Sequence, residues 1–337
     1  MIAALERLGR GEGLSSAEAS AAVGAIIAGE CGEAAIAAFL TALRVKGETA
    51  DELTGAVEAV RARMAPWDRA SFPHPLLDTC GTGGDSANTV NVSTATAIVV
   101  AACGVPVAKH GNRSASGNSG SAEVLTELGV AIDAKPEVLR HCLAELGLTF
   151  FYAPNFHPAL RFAATVRRQL PFRTLFNLIG PLANPARPDY QLVGVAGERQ
   201  AELIAESLTR FGPRRAAVVT GSDGLDEVTL DGPTRVHWIE AGRRTEFVWH
   251  PDDFGLPRVS ARDLRVSGPS ESAGRIRRFL AGEPGPARDL ILANCAAALR
   301  VAGVAGTLRD GVAQAAKAVD SGAAERLLER WKRLSQG

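Results

Sequence analysis

Six short apolar runs, at 76–79, 105–108, 149–152, 191–195, 216–220 and 236–239, alternate with stretches of helical spacing at 119–128, 136–145, 198–208, 287–302 and 309–331. No other feature constrains the fold as strongly. Runs of four or five mostly apolar residues are strand length, and strands separated by helices can pair in parallel only by crossing over through those helices. The expected class is α/β, with a mostly parallel central sheet covered by helices. The last helical stretch should break near Gly322.

The first 65 residues have a different character and read as wholly helical. Ser15 with Glu18, and Thr49 with Glu52, have capping-box spacing. Between them Ile36, Phe39, Leu40 and Leu43 recur on one helical face. This stripe exceeds what one thin helical layer needs for its own core, so dimerisation through these helices is expected. Pro66, Pro73 and Pro75 then mark a linker. A further helical segment, 158–169, continues as helix or turn through 172–182 and interrupts the α/β alternation. It is expected to pack on the opening helices. The resulting organisation is a small helical domain, 1–66 joined by about 158–186, and a larger α/β domain, 74–157 with 187–337.

Composition narrows the function classes. Lys plus Arg and Asp plus Glu both number 37, which gives no electrostatic reason for a nucleic-acid or membrane partner. No apolar run is long enough to span a bilayer, and no secretory leader is visible. Cys31, Cys80, Cys103, Cys142 and Cys295 are odd in number and scattered, as expected of reduced thiols in a cytoplasmic protein.

Four motifs carry chemistry, and all fall at or just after the carboxyl ends of expected strands. Gly81-Thr82-Gly83-Gly84-Asp85 lets the backbone approach a ligand closely and aim successive amides at an anion, or it is a tight turn only. Thr89-Val90-Asn91-Val92-Ser93-Thr94 precedes an apolar helix expected at 95–103. Ser93 or Thr94 would cap that helix, whose amino end suits a phosphate. Capping alone would explain the hydroxyls but not Asn91. Lys109-His110-Gly111-Asn112-Arg113-Ser114 places cations at a strand end, where parallel sheets bind ligands. The small residues that follow, through Ser121, read either as a phosphate-wrapping loop that is mobile without substrate or as a solvated linker. Asp223-Gly224-Leu225-Asp226-Glu227 reads as a turn whose carboxylates converge, a magnesium pattern beside phosphate, or as a solvated acidic turn.

These motifs, with Phe176–Pro185 (Phe-Asn-Leu-Ile-Gly-Pro-Leu-Ala-Asn-Pro), resemble the anthranilate phosphoribosyltransferase family over essentially the whole chain. The resemblance implies the nucleoside phosphorylase/phosphoribosyltransferase-like fold, a homodimer, and transfer of a phosphoribosyl group from 5-phosphoribosyl 1-pyrophosphate to anthranilate in tryptophan biosynthesis. It implies Mg2+, as two substrate-linked ions, with Ser93, Asp226 and Glu227 as ligands. Anthranilate contacts carry over to Gly81, Asn112 and Arg167. Phosphoribosyl pyrophosphate contacts carry over to Gly81, Gly84, Asp85, Thr89, Asn91, Val92, Ser93, Thr94, Lys109, His110, Gly111, Asn112, Arg113, Ser114, Ala115, Ser116, Gly117 and Ser121. The chain departs from the family pattern at Gly117, Phe162, Thr165, Pro171 and Thr220.

No residue is expected to act as nucleophile or acid/base, and His110 and His157 are read as lining the acceptor pocket. Two other functions remain compatible with the residues. One is a pyrimidine nucleoside phosphorylase-like enzyme, disfavoured by the Asp226-Glu227 pair and by Asn112-Arg113. The other is a silent nucleic-acid-binding relative, disfavoured by the neutral charge.

Overall fold

The computed structural model describes residues 1–84, 87–114 and 119–337. The chain opens with four helices, α1 (Ile2–Gly9), α2 (Ser16–Ile27), α3 (Glu33–Lys46) and α4 (Ala50–Ala62). Both capping boxes form. Glu52 is buried, and its carboxylate accepts Leu14 N and Thr49 N, both at 2.9 Å, while pairing with Lys46 at 3.1 Å. The α4 cap thereby also fixes the chain entering α2.

Seven strands make one sheet in the order β3-β2-β1-β4-β5-β6-β7. They are β1 (Leu77–Gly81), β2 (Val107–Gly111), β3 (Leu148–Tyr152), β4 (Tyr190–Gly194), β5 (Arg215–Gly221), β6 (Thr234–Glu240) and β7 (Arg243–Trp249). The pairings from β3 through β5 are parallel; β6 and β7 close the sheet antiparallel. All six expected strands are present, with ends moved by at most three residues. The seventh, β7, escaped the sequence reading because Arg243, Arg244, Thr245 and Glu246 are exposed on this edge strand, so no buried face imposes alternation. The helix Pro269–Leu280 was missed as well. Its buried Ala273, Ile276, Phe279 and Leu280 have helical spacing but are diluted by Ser, Glu and Arg. The final helical stretch breaks as expected, into Leu308–Asp320 and Ala323–Leu334, with Gly322 at φ +73°.

Strand periodicity divides the core into two sides. On β4 and β5, Leu192, Ala217 and Val219 face α5 (Val92–Ala102) and the C-terminal helices. Val193, Ala216 and Val218 face the opening helices and the helix Glu198–Phe211. The inserted segment packs where expected: Ala163, Val166, Leu175, Phe176 and Ile179 share one core with α2, α3 and α4. The apolar stripe of α3 requires a correction. Ile36, Phe39, Leu40 and Leu43 are at most 1% exposed within a single chain, so they are internal core and form no dimer face. The large exposed apolar side chains of this layer are Ile2, Val45 and Phe162.

The sheet order also fixes where a ligand belongs. The chain runs from β1 outward through β2 and β3, then returns to place β4 on the other side of β1. This reversal is a topological switch point, and the carboxyl ends of β1 and β4 open onto a crevice there.

Candidate active site

A cavity of about 610 Å³ occupies that crevice. Its walls are the loop after β1, the start of α5, the loop after β2, the inserted segment, and the acidic turn after β5. Of the described residues carried over above, all except Thr94 line it. Asp85, Ala115, Ser116 and Gly117 lie outside the described residues, as does much of the segment expected to be mobile.

The glycine loop is held from two directions. Gly83 N donates to Asp226 Oδ2 at 2.7 Å, and Thr82 N donates to Gly194 O at 2.9 Å. Arg173 donates to the carbonyls of Thr82 and Gly83. Glycine is favoured at Gly84 by its φ of +84°, and a Cβ there would also displace the Arg173 guanidinium. Arg173 was not singled out from the sequence. Only its place in the inserted segment, among residues that turn out to line the cavity, signals it.

The α5 cap differs from expectation. The helix starts at Val92 with Asn91 at the N-cap, so Ser93 and Thr94 lie inside the first turn. Thr94 is fully buried, and its hydroxyl donates to Asn91 Oδ1 instead of facing the cavity. Asn91 N is held by Ser272 Oγ at 3.0 Å, from the helix that the sequence reading missed. Ser93 remains on the cavity wall, where its Oγ accepts from Lys109 Nζ at 3.1 Å. The ammonium of Lys109, 1% exposed, also donates to Thr79 O at 2.6 Å, so two of its three donors serve the floor of the site.

The acidic turn forms around Gly224 at φ +85°. Asp223 is consumed locally by Leu225 N and the Thr229 hydroxyl. Asp226 and Glu227 face the cavity. Among the described residues no three His, Cys, Asp or Glu side chains converge on a metal site of their own. Two carboxylates and the Ser93 hydroxyl form a hard-oxygen donor set, which fits magnesium held jointly with substrate phosphates better than an all-protein cage.

The inserted segment adds a cationic and an aromatic side chain to the lining. Arg167 lies half-buried on the helix Arg161–Gln169, with its guanidinium carbon 5.5 Å from the Phe176 ring centre. Among the described residues no carboxylate pairs with it, and burial pulls its pKa down. Arg168, next to it, is exposed.

His110 and His157 are 6% and 5% exposed, with ring centres 5.3 Å apart. His110 Nδ1 lies 3.2 Å from Gly180 O. Burial pushes His110 down to about 3 and His157 to about 4, each opposed in part by a backbone carbonyl. Both are therefore neutral at physiological pH. The unfolded chain binds protons on these rings near 6.5, above the folded values, so unfolding takes up protons. Stability is then full above the unfolded value and declines as pH falls through the window below it. Melting temperature should drop between pH 7 and 4, and less steeply in a His110→Gln/His157→Gln variant. Parallel curves for the two proteins would rule the histidines out as the cause.

Known proteins resemble the chain along nearly all of its length. The family model for the helical bundle domain of a glycosyl transferase family matches residues 2–64, and that for the a/b domain matches residues 73–325. Anthranilate phosphoribosyltransferase of Methylobacterium radiotolerans is 49% identical, covering 98% of this chain and 95% of that protein. The Moorella thermoacetica enzyme of the same name is 48% identical, covering 97% and 96%. The solved anthranilate phosphoribosyltransferase of Thermus thermophilus superposes with a TM-score of 0.92 at 40% identity, covering 99% of both chains. That of Saccharomyces cerevisiae, solved in complex with PRPP and Mg, superposes with a TM-score of 0.91 at 28% identity, covering 99% and 97%. With both domain models matched and near-complete relatives at almost half identity, the chain belongs to the anthranilate phosphoribosyltransferase family.

Proposed function

We propose that the protein transfers the 5-phosphoribosyl group of phosphoribosyl pyrophosphate to the amine of anthranilate, giving N-(5-phosphoribosyl)anthranilate and pyrophosphate in tryptophan biosynthesis. One observation carries this reading beyond kinship. A single cavity is lined by an anion-cradling glycine loop, an acidic pair and a half-buried arginine without a carboxylate partner among the described residues. Phosphates suit the glycine loop with its acidic pair, and a carboxylate suits the arginine.

In this reading Gly81, Gly84, Thr89, Asn91, Val92, Ser93, Lys109, His110, Gly111, Asn112, Arg113, Ser114 and Ser121 contact phosphoribosyl pyrophosphate. Thr94 acts through Asn91. Gly81, Asn112 and Arg167 contact anthranilate. Ser93, Asp226 and Glu227 would hold two magnesium ions, which neutralise charge on the substrate and leaving phosphates. The amine lone pair forms the new bond to the anomeric carbon as the carbon–oxygen bond to pyrophosphate breaks, and pyrophosphate leaves with that electron pair. The proton shed by the nitrogen goes to solvent, so no protein base is required. The chain's contribution is to align the two substrates and place amides and cations around the leaving group. Loss of anthranilate fluorescence that depends on both phosphoribosyl pyrophosphate and magnesium tests the reading. Phosphorolysis of thymidine or uridine in its place would favour a nucleoside phosphorylase.

Asp226→Ala and Glu227→Ala should each raise the magnesium needed for half-maximal activity severalfold and lower turnover, with the fold retained. Unchanged magnesium titrations in both variants would remove the carboxylates from the metal site. The protein is proposed to be cytoplasmic, and no helix among the described residues is long and apolar enough to cross a membrane. The helical layer, 1–66 with 158–186, is assigned as the small domain, and exposed Ile2, Val45 and Phe162 support it as the face of a homodimer. Sedimentation at micromolar concentration should give twice the chain mass, and Val45→Glu should weaken that association; a monomeric wild type would contradict the assignment.

A further inference from the structure

A polar cluster beneath the cavity has no explanation in substrate contact. Strands β1 and β2 are parallel neighbours yet share a single register pair, Leu77 with Val107. The neighbouring pairings β1–β4 and β2–β3 each run for five residues. Continued by two residues, the β1–β2 register would bring Thr79 opposite Lys109, and backbone bonds would link Ala108 O, His110 N and Thr79 O across the ladder. Each of these groups meets a side chain, and no register pair forms at Thr79 and Lys109. Ala108 O accepts from Asn184 Nδ2 at 2.8 Å, His110 N donates to Asp78 Oδ1 at 3.1 Å, and Thr79 O accepts from Lys109 Nζ at 2.6 Å.

The cluster is closed on itself. Asn184 Nδ2 also donates to Asp78 Oδ2 at 2.8 Å, and Asn184 Oδ1 accepts from Ala186 N at 2.8 Å. Asp78 is 0% exposed and Asn184 1%. Burial raises the pKa of the Asp78 carboxyl, opposed by the charge of Lys109, the Asn184 amide and the His110 N–H. A buried carboxylate is costly to keep, and a closed backbone ladder would satisfy the same three groups without it. Departures of this kind concentrate where function demands them.

We propose that Asp78 and Asn184 are positioning residues that wedge β1 and β2 apart at their carboxyl ends, and that the gap sets both the seat of Lys109 and the spacing between the glycine loop after β1 and the cationic loop after β2. Neither side chain lines the cavity, so both act through the backbone they hold. The inference rests on the transferase reading only for what the two loops grip. Asn184 arrives from the inserted segment, which also supplies Gly180, Pro181 and Ala183 to the cavity wall. The wedge therefore also fixes that wall against the sheet.

Asp78→Asn is nearly isosteric, but it confronts the Asn184 amide with a second amide and removes the charge. Two readouts are needed: turnover, and calorimetric affinity for inorganic pyrophosphate with magnesium. The folded variant should lose at least tenfold in turnover and severalfold in pyrophosphate affinity. A merely structural defect would lower the melting temperature and the active fraction but leave the affinity of the folded protein unchanged. The exchange Asp78→Asn/Asn184→Asp restores a carboxylate–amide pair with roles reversed. It should outperform Asp78→Asn in both readouts, though incompletely, because Ala108 O loses its donor.

Wild-type affinity in folded Asp78→Asn, or an exchange variant no better than Asp78→Asn, would overturn the wedge. Should Asp78→Asn fail to fold, Asn184→Ala, on a loop, carries the same expectation, and unchanged pyrophosphate affinity there would overturn it equally. A wild-type protein that binds pyrophosphate but leaves anthranilate unconsumed would sink the transferase reading while leaving the wedge testable by affinity.

Discussion

Gly194→Ala should reduce turnover by about a hundredfold or more, although it adds one methyl group to a strand whose backbone accepts any residue. Gly194 ends β4, and the acidic turn crosses directly over it. A Cβ there would overlap the Asp226 carbonyl and crowd Glu227 N, so the turn backbone itself must move. Displacement would carry Asp226 away from Gly83 N and shift both carboxylates of the proposed magnesium site relative to the phosphates. A hundredfold corresponds to about 2.7 kcal/mol of transition-state stabilisation, a plausible size for a misplaced electrostatic site. Gly194→Ala should also raise the magnesium requirement, as is expected of Glu227→Ala. Turnover and magnesium dependence within twofold of wild type would show that the turn has room to shift and that its position is not critical.

Arg167→Ala should raise the Michaelis constant for anthranilate far more than that for phosphoribosyl pyrophosphate. The guanidinium is half-buried, rests on Phe176, faces the cavity and has no carboxylate partner among the described residues. A planar fork matches a carboxylate, and anthranilate is the substrate that carries one. A lost charge-assisted contact of about 1.5–3 kcal/mol corresponds to roughly a tenfold to hundredfold effect. Arg168→Ala, at an exposed position, should change either constant little. Equal weakening of both substrates, or like behaviour of the two variants, would make Arg167 structural.

Much of the architecture was legible in residue order alone. Alternating apolar runs and helical stretches determined the α/β class and the mostly parallel sheet, since a run of four or five buried residues has few other homes. Capping residues marked α2 and α4 because a cap is a local contract between positions three apart. Glycine, hydroxyl, cationic and acidic motifs marked the site because each fell at a strand end, and strand ends on one edge of a parallel sheet must converge. Features with no local signal went unread. The edge strand β7 buries too little to alternate, and α3 showed an apolar stripe without revealing that its partners lie within the same chain.

The remaining decisions belong to contacts between residues far apart in sequence. Thr94 faces Asn91 because α5 starts at Val92, one turn arrangement among several the same hydroxyls allow. Arg173 grips a loop some ninety residues away, and Gly194 must be glycine only because the acidic turn happens to cross it. Asp78 reads in sequence as one polar residue within a strand. Only the folded chain shows that its carboxylate and the amide of Asn184, 106 positions later, stand where backbone hydrogen bonds would otherwise close the sheet. Local chemistry determines which elements form and what their ends can bind; the distances between those ends are set by long-range packing, which no local pattern encodes.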